Sequence, residues 1–316
     1  MKNAKSPDKD IPRFQDYGHL LATRRSWFNY VLYLPSLIFL VSMTIFPLLY
    51  SLYISFHNYT LGTSGEPEFV GFRNYGSLLK EQEFWISAYN TLFIVVFAVG
   101  IEIALGTAIA FLFNRRWRGV SILRILIFIP MMLSPMVLGY FWKYMYDFQF
   151  GIINWLLGFL NIPAQSWLTD PGVALVSIAF VDIWQWTPFV VLLVTAGLQT
   201  IPREEYEAAT IDRASGWMQF WKISMPYLRS NLMIAALFRM IDTFRMFDLV
   251  YILTGGGPGN STQTLSVAAY KLGYQFFQTG KAAAISWLMV IIVTVMATLL
   301  MKVLSEKKRT IPAVAP

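Results

Sequence analysis

Four charged residues at three-residue intervals, Arg239, Asp242, Arg245 and Asp248, interrupt an otherwise apolar run. On a helix, arginines and aspartates at this spacing can pair with one another or hold a polar ligand. Each step of three turns the chain by about 300°, so neighbours meet while Arg239 and Asp248 end about 180° apart. All four are therefore not expected to line one cavity, and two internal ion pairs that neutralise the helix are the simpler expectation. Ligand contact is the alternative. A second group, Asp182, Gln185, Trp186 and Phe189, follows i, i+3, i+4, i+7 and shares one helical face. A carboxylate, an amide and an indole offer a sugar its hydrogen-bond partners and an apolar ring surface. The same residues equally suit packing, with Asp182 paired to an arginine of the 228–252 run and Trp186 wedged between helices. Glu102, between Gly100 and Gly106, reads as an interhelical hydrogen bond before any proton relay. The glycine-rich stretch LTGGGPGNSTQT, residues 253–264, lacks the lysine that a phosphate-cradling loop of the form G-x-x-x-x-G-K-[ST] requires. Its glycines are expected to end a helix, with Gly255 at positive φ and Pro258 preventing the helix from resuming. The chain has no cysteine and only two histidines, His19 and His57, so no thiolate or histidine metal centre is expected.

The elements that position these groups are hydrophobic. Of 316 residues, 56% are hydrophobic and 14% charged, against about 25% charged in soluble domains. Six runs, near 28–53, 88–113, 120–144, 172–197, 228–252 and 283–304, each reach the roughly 20 residues that cross a bilayer core. Pro188 is expected to bend the fourth. The first is too long for a cleaved signal peptide and is expected to be a retained span. Sixteen lysines and arginines fall in the N-terminal tail, the 114–119 turn, the 198–227 loop and the C-terminal tail, against four in the alternate loops. The positive-inside rule then places both termini and these segments in the cytoplasm. The net charge of +7 is accounted for by topology, and no nucleic-acid partner is expected. The domain plan is a cytoplasmic tail over 1–27, a six-helix membrane domain over 28–304 and a cytoplasmic tail over 305–316.

The 201–226 loop, within IPREEYEAATIDRASGWMQFWKISMPYLRS, is expected to carry a short helix opened by Pro202 and acidic residues, a turn at Ala214-Ser215-Gly216 and a second short helix from Trp217 to Ile223. Ala208 and Ala209 add no bulk and permit close approach of another surface. A docking role and an ordinary solvated loop both remain open on these grounds.

Glu207-Ala208-Ala209, followed by Asp212, Ala214, Phe220, Ile223 and Pro226, resembles the EAA loop of binding-protein-dependent ABC importer permeases. VDIWQWTPFVVLLVTAGLQTIPREEYEAA and FRMIDTFRMFDLVYILTGGGPGNSTQTLSVAAYKLGYQFFQTGKAAAIS are similar to the carbohydrate-uptake branch, specifically the first permease of maltose-type systems, and the likeness runs over about 28–304. It implies an all-α integral membrane protein with the type I ABC importer permease fold, six transmembrane helices and both termini cytoplasmic. By that resemblance the chain is a non-catalytic subunit of an ATP-driven sugar importer (for an oligosaccharide or related polyol), in a bacterial or archaeal cytoplasmic membrane. It would form half of the translocation pathway with a second homologous permease, beside membrane lipid, two ATPase subunits and an extracytoplasmic solute-binding protein. It would hold no cofactor, ATP and Mg residing on the ATPase. The resemblance assigns ATPase coupling to Glu207, Ala208, Ala209, Asp212, Arg213, Ala214 and Gly216. The substrate-pathway candidates, taken from the helical spacing and chemistry above, are Asp182, Gln185, Trp186, Phe189, Arg239, Asp242 and Arg245. Arg213 departs from the family's usual glycine, so either Gly216 makes the turn or the first helix runs longer. Import of an acidic saccharide or glycerol-phosphate-type solute is the alternative, and an ion-coupled secondary transporter using Asp182 or Glu102 is the rival from another class.

Overall fold

The computed structural model describes residues 14–62, 66–114 and 119–306. The basic residues Lys2, Lys5, Lys9, Arg13, Arg115, Arg116, Arg118, Lys307, Lys308 and Arg309 lie outside the described residues. The chain divides into two compact units, one up to Tyr53 and the other from Ile54. The first is the greater part of helix α1 (Phe14–Ser55). From Tyr30 to Tyr50 every side chain of α1 is exposed within this chain. Its 26-residue stretch Tyr30–Ser55 has a mean hydropathy of 2.1. Such a face needs lipid or protein against it.

The second unit opens with a two-residue ladder, β1 (His57–Asn58) against β2 (Glu68–Phe69), and then helix α2 (Arg73–Lys80). Two long helices, α3 (Gln82–Asn114) and α7 (Ala174–Leu198), form its centre. They touch closely because Gly106 has no side chain: a Cβ there would fall 2.5 Å from Val190 Cβ. α7 runs unbroken through Pro188.

Between these two, the expected continuous span over 120–144 is instead two helices, α4 (Val120–Met132) and α5 (Pro135–Met145), meeting at 102°. Pro135 has no N–H to continue the ladder and drives Ser134 to extended backbone (ψ 137°). Helix α6 (Ile152–Phe159) follows. Asn154 anchors the segment after it by accepting from Trp167 Nε1 (2.9 Å) and the Gln165 amide (3.1 Å).

After α7 come α8 (Arg203–Ile211) and α9 (Gly216–Gln219). The expected second short helix does not stop at Ile223. A π-helical turn over Phe220–Ser224 leads from α9 straight into α10 (Met225–Phe244), where Pro226 occupies the first turn and needs no N–H partner. The 228–252 run is also not one helix. α10 stops at Phe244 and α11 (Asp248–Leu253) starts after a three-residue break. Gly255 and Gly256 then take positive φ (63° and 92°), and the Gly255 amide donates to Val250 O and Tyr251 O. Helix α12 (Leu265–Tyr270), a π-helical turn over Lys271–Gln275 and α13 (Thr279–Glu306) complete the chain.

The turn at the glycines is pinned to α3. Asn90 Nδ2 donates to Asn260 O (3.1 Å) and Gln263 O (3.0 Å), and the Leu265 amide donates to Thr91 Oγ1 (3.0 Å). Lys271 Nζ donates to Gln263 Oε1 (2.8 Å), and burial pulls the Lys271 pKa below the ordinary lysine range against the pull of Glu83. By length and composition four helices among the described residues suffice to cross a membrane, or five if α4–α5 is one bent span. α10, with Arg229, Arg239 and Asp242 in its 20 residues, is not among them.

Candidate functional site

One guanidinium, that of Arg239, gathers three carboxylates: Asp242 of its own helix, and Glu102 and Asp182 of two others. Arg239, on α10, is 1% exposed, and Glu102 on α3 and Asp182 on α7 are 0% and 2% exposed. Arg239 grips Glu102 with both edges of its fork, Nε to Oε2 at 2.7 Å and Nη2 to Oε1 at 3.0 Å. Nη2 also donates to Asp182 Oδ2 (2.9 Å) and Thr243 Oγ1 (2.8 Å), and Nη1 to Asp242 Oδ2 (3.0 Å). Trp186 closes the remaining face, its ring centroid 4.8 Å from the guanidinium carbon. A planar fork is the side chain that can serve several carboxylates at fixed angles. One residue thus ties three helices together.

This differs from two separate pairs along one helix. Asp242 is shared, since Arg245 Nη2 donates to its Oδ1 at 3.1 Å. Asp248 forms no ion pair among the described residues. Helical spacing does not extend beyond Phe244, because the helix ends there.

Beside the cluster lies a cavity of about 320 Å³ bordered by Asp182, Gln185, Trp186, Asp242, Arg245 and Asp248, with Pro135 and the 246–249 backbone segment. The two helix breaks create it: the α4–α5 corner supplies Pro135 and the α10–α11 gap supplies Met246 and Phe247. Gln185 Nε2 donates to Leu133 O (3.3 Å), covering a carbonyl opened by the first break. Irregular backbone at membrane depth is tolerated where it is enclosed by protein or lines a wet cavity. Of the seven pathway candidates, Arg239 and Phe189 do not border this space. Arg239 is enclosed by its carboxylates, and Phe189 packs against the rings of Trp186 and Phe238, 6.4 Å away in each case. Met246, Phe247 and Leu249 also border the cavity and lie in or just after the α10–α11 break, where helical spacing does not reach. Thr243, one turn after Arg239 on α10, was missed although i+4 spacing could have found it. Trp184 stands apart from Trp186 and meets Trp142 edge-on at 5.4 Å.

The 201–226 loop has a different character. α8 buries no side chain completely: Glu207 and Ala208 are exposed and Ala209 is half-buried. Asp212 is its C-cap, and Arg213 takes the left-handed conformation itself (φ 54°). The Arg213 amide donates to Thr210 O and the Ala214 amide to Ala209 O (2.8 Å), the paired bonds that close a helix C-terminus. Neither Gly216 nor a longer helix is therefore needed for the turn. Gly216 is exposed and begins α9, whose N-cap Ser215 accepts from the Met218 amide (3.3 Å). Tyr206 Oη and Ser224 Oγ, 2.9 Å apart, join α8 to the π-helical turn. A non-glycine residue at positive φ costs about 1–2 kcal/mol. Arg213→Gly is expected to raise the thermal midpoint of the purified protein while leaving the membrane helices unchanged. A lowered midpoint would show that the arginine side chain contributes more than its backbone strain costs.

Comparisons with known proteins identify the family and the fold. The model of the family "binding-protein-dependent transport system inner membrane component" matches residues 102–310. The chain is 36% identical over 283 residues to the trehalose/maltose transport system permease protein MalF of Thermococcus litoralis, covering 90% of this chain and 95% of that one. It is 32% identical over 287 residues to the sulfoquinovosyl glycerol transport system permease protein SmoG of Agrobacterium fabrum, covering 89% and 91%. Its fold matches a chain in the crystal structure of a bacterial ABC transporter that imports the acidic polysaccharide alginate, with TM-score 0.78, 17% identity and coverage of 90% and 96%.

Proposed function

The chain belongs to the family of inner membrane components of binding-protein-dependent transport systems, and from that premise we propose that it is one of two permease subunits of an ATP-driven importer for a neutral saccharide. Its relatives are transport permeases, a non-catalytic role. The sugar assignment rests on the substrates named for those relatives together with the chemistry of the cavity. The observation that carries the neutral reading is the charge of that cavity. Of the charged residues that border it, Arg245 pairs with Asp242, and Asp182 pairs with the enclosed Arg239, so no cation is left over for a carboxylate or phosphate. Gln185, the edge of Trp186 and the half-exposed Asp242 suit hydroxyl groups and the apolar face of a sugar ring.

In this proposal α1, α3, α4–α5, α7, α10–α11 and α13 make six crossings of a bacterial or archaeal cytoplasmic membrane, with both termini in the cytoplasm. The membrane domain extends over 28–304, and the cytoplasmic tails are 1–27 and 305–316. α10 crosses despite its charges because Glu102 and Asp182 neutralise Arg239 inside the protein. A second permease completes the pathway, and a solute-binding protein delivers cargo on the outer side, where the turn at Gly255–Pro258 lies. α8 is the coupling helix, with Glu207, Ala208 and Ala209 against an ATPase that holds ATP and Mg. Asp212, Arg213, Ala214 and Gly216 shape its end.

The test is ATPase activity of the assembled complex with its binding protein, across a sugar panel. Neutral di- and oligosaccharides are expected to stimulate hydrolysis at least about tenfold, the effect of 1.4 kcal/mol, and uronate-containing or phosphorylated analogues are not. Stimulation by the acidic compounds alone would overturn the neutral reading, and a permease that purifies without any ATPase would overturn the importer.

A further inference from the structure

A second cavity, of about 230 Å³, opens at the other end of the helices, where α3 finishes, α4 begins and α7 finishes. Arg124 enters it from α4. Its Nη2 donates to Phe113 O (2.6 Å), one of the carbonyls left open at the end of α3. Its Nε is enclosed and has no acceptor. Among the described residues no carboxylate pairs with it. A guanidinium with an enclosed, unmet donor and no counter-charge favours an anion. The rest of the lining is apolar, Phe128, Val191, Leu192 and Ala196, joined by Thr195 and Gln199. Around the opening α4 exposes Ile122, Ile125 and Leu126. An anion with an apolar tail meets both demands.

We propose that this cavity seats the phosphate headgroup of an anionic phospholipid, with Arg124 holding the phosphate and an acyl chain lying along Leu192 and Phe128. Basic pockets between membrane helices on the cytoplasmic side attract such headgroups. The proposed topology puts this end in the cytoplasmic leaflet. The choice of leaflet rests on that topology, whereas the lipid preference tested below does not depend on sidedness.

The complex would be equilibrated with equal amounts of phosphatidylglycerol and phosphatidylcholine, and the phospholipid retained per complex counted by native mass spectrometry. Phosphatidylglycerol is expected to be held about fivefold over phosphatidylcholine, equivalent to about 1 kcal/mol for one basic residue. Arg124→Gln should abolish that preference, and Leu192→Trp, which fills the cavity and keeps the charge, should release the lipid. If Arg124→Gln does not fold, Leu192→Trp decides alone. Equal retention by wild type and variants overturns the proposal. Displacement of phosphatidylglycerol by millimolar inorganic phosphate would mark a free-phosphate site, and a cross-link from position 192 to the second permease with no lipid retained would mark a protein contact. Either outcome also overturns it.

Discussion

Arg239→Met is expected to remove the folded permease almost entirely. The substitution keeps much of the side-chain volume but leaves Glu102 and Asp182, 0% and 2% exposed, without a counter-charge. Breaking a buried ion pair from one side costs about 3–5 kcal/mol, which is of the order of the whole stability of many domains. Membrane yield of monodisperse protein should fall by at least about a hundredfold at 1.4 kcal/mol per decade. The companion variants locate the cause. Adding Asp242→Leu should restore little, because Asp242 is 39% exposed and water can serve it. Adding Glu102→Gln and Asp182→Asn should restore folding, since a neutral cluster has no charge to leave unpaired. Wild-type yield for the single variant would sink the description of Arg239 as the centre of the core. Yield restored by Asp242→Leu alone would mean that the i, i+3 pair, and not the contact between helices, carries the energy.

The other large effect is expected at the opposite kind of surface. Ala209→Trp should leave the membrane domain intact, because no residue of α8 is fully buried, and yet abolish transport. A bulky ring on a face of small residues blocks close approach. Disturbing a central contact of an interface costs about 2 kcal/mol or more, about thirtyfold in affinity. Co-purification of the ATPase and sugar uptake, each normalised to monodisperse permease, are the measurements. Normal uptake by Ala209→Trp would end the case for α8 as the coupling helix. Loss of monodispersity would show that the alanine face packs within this chain instead.

The long apolar runs announced their helices. The runs at 88–113, 172–197 and 283–304 lie within or almost within α3, α7 and α13, because hydrophobic length is a local property of the chain. The breaks were less legible, and for different reasons. Ser134-Pro135 carries a local signal, a proline that removes a donor and restrains its predecessor, which the apolar run around it obscured. Arg245–Phe247 contains neither proline nor glycine, so that break depends on tertiary contacts and no spacing rule announces it. The partner of Glu102 was illegible for the same reason. Arg239 stands 137 residues away, and one sequence contains nothing that joins the two. Arg213 shows the limit of residue preference: an arginine holds the left-handed backbone (φ 54°) that favours glycine.

The three-helix charge cluster also constrains the order of events during synthesis. Glu102 and Asp182 leave the ribosome before Arg239, and 57 residues separate Asp182 from the arginine. At about 5–20 residues per second, the nascent chain holds two carboxylates without their counter-ion for roughly 3–11 s. A carboxylate inside hydrocarbon is costly through all of that interval. In the proposed six-crossing topology, the carboxylates of α3 and α7 wait through that interval for α10 to arrive. When it does, Arg239 cannot enter lipid cheaply by itself, at about 2.5–3.5 kcal/mol for an arginine at mid-bilayer, and enters on the carboxylates already waiting. Biogenesis is in this sense ratcheted by the last partner. A chain truncated before residue 239 keeps its hydrophobic helices and loses the counter-charge that Glu102 and Asp182 share.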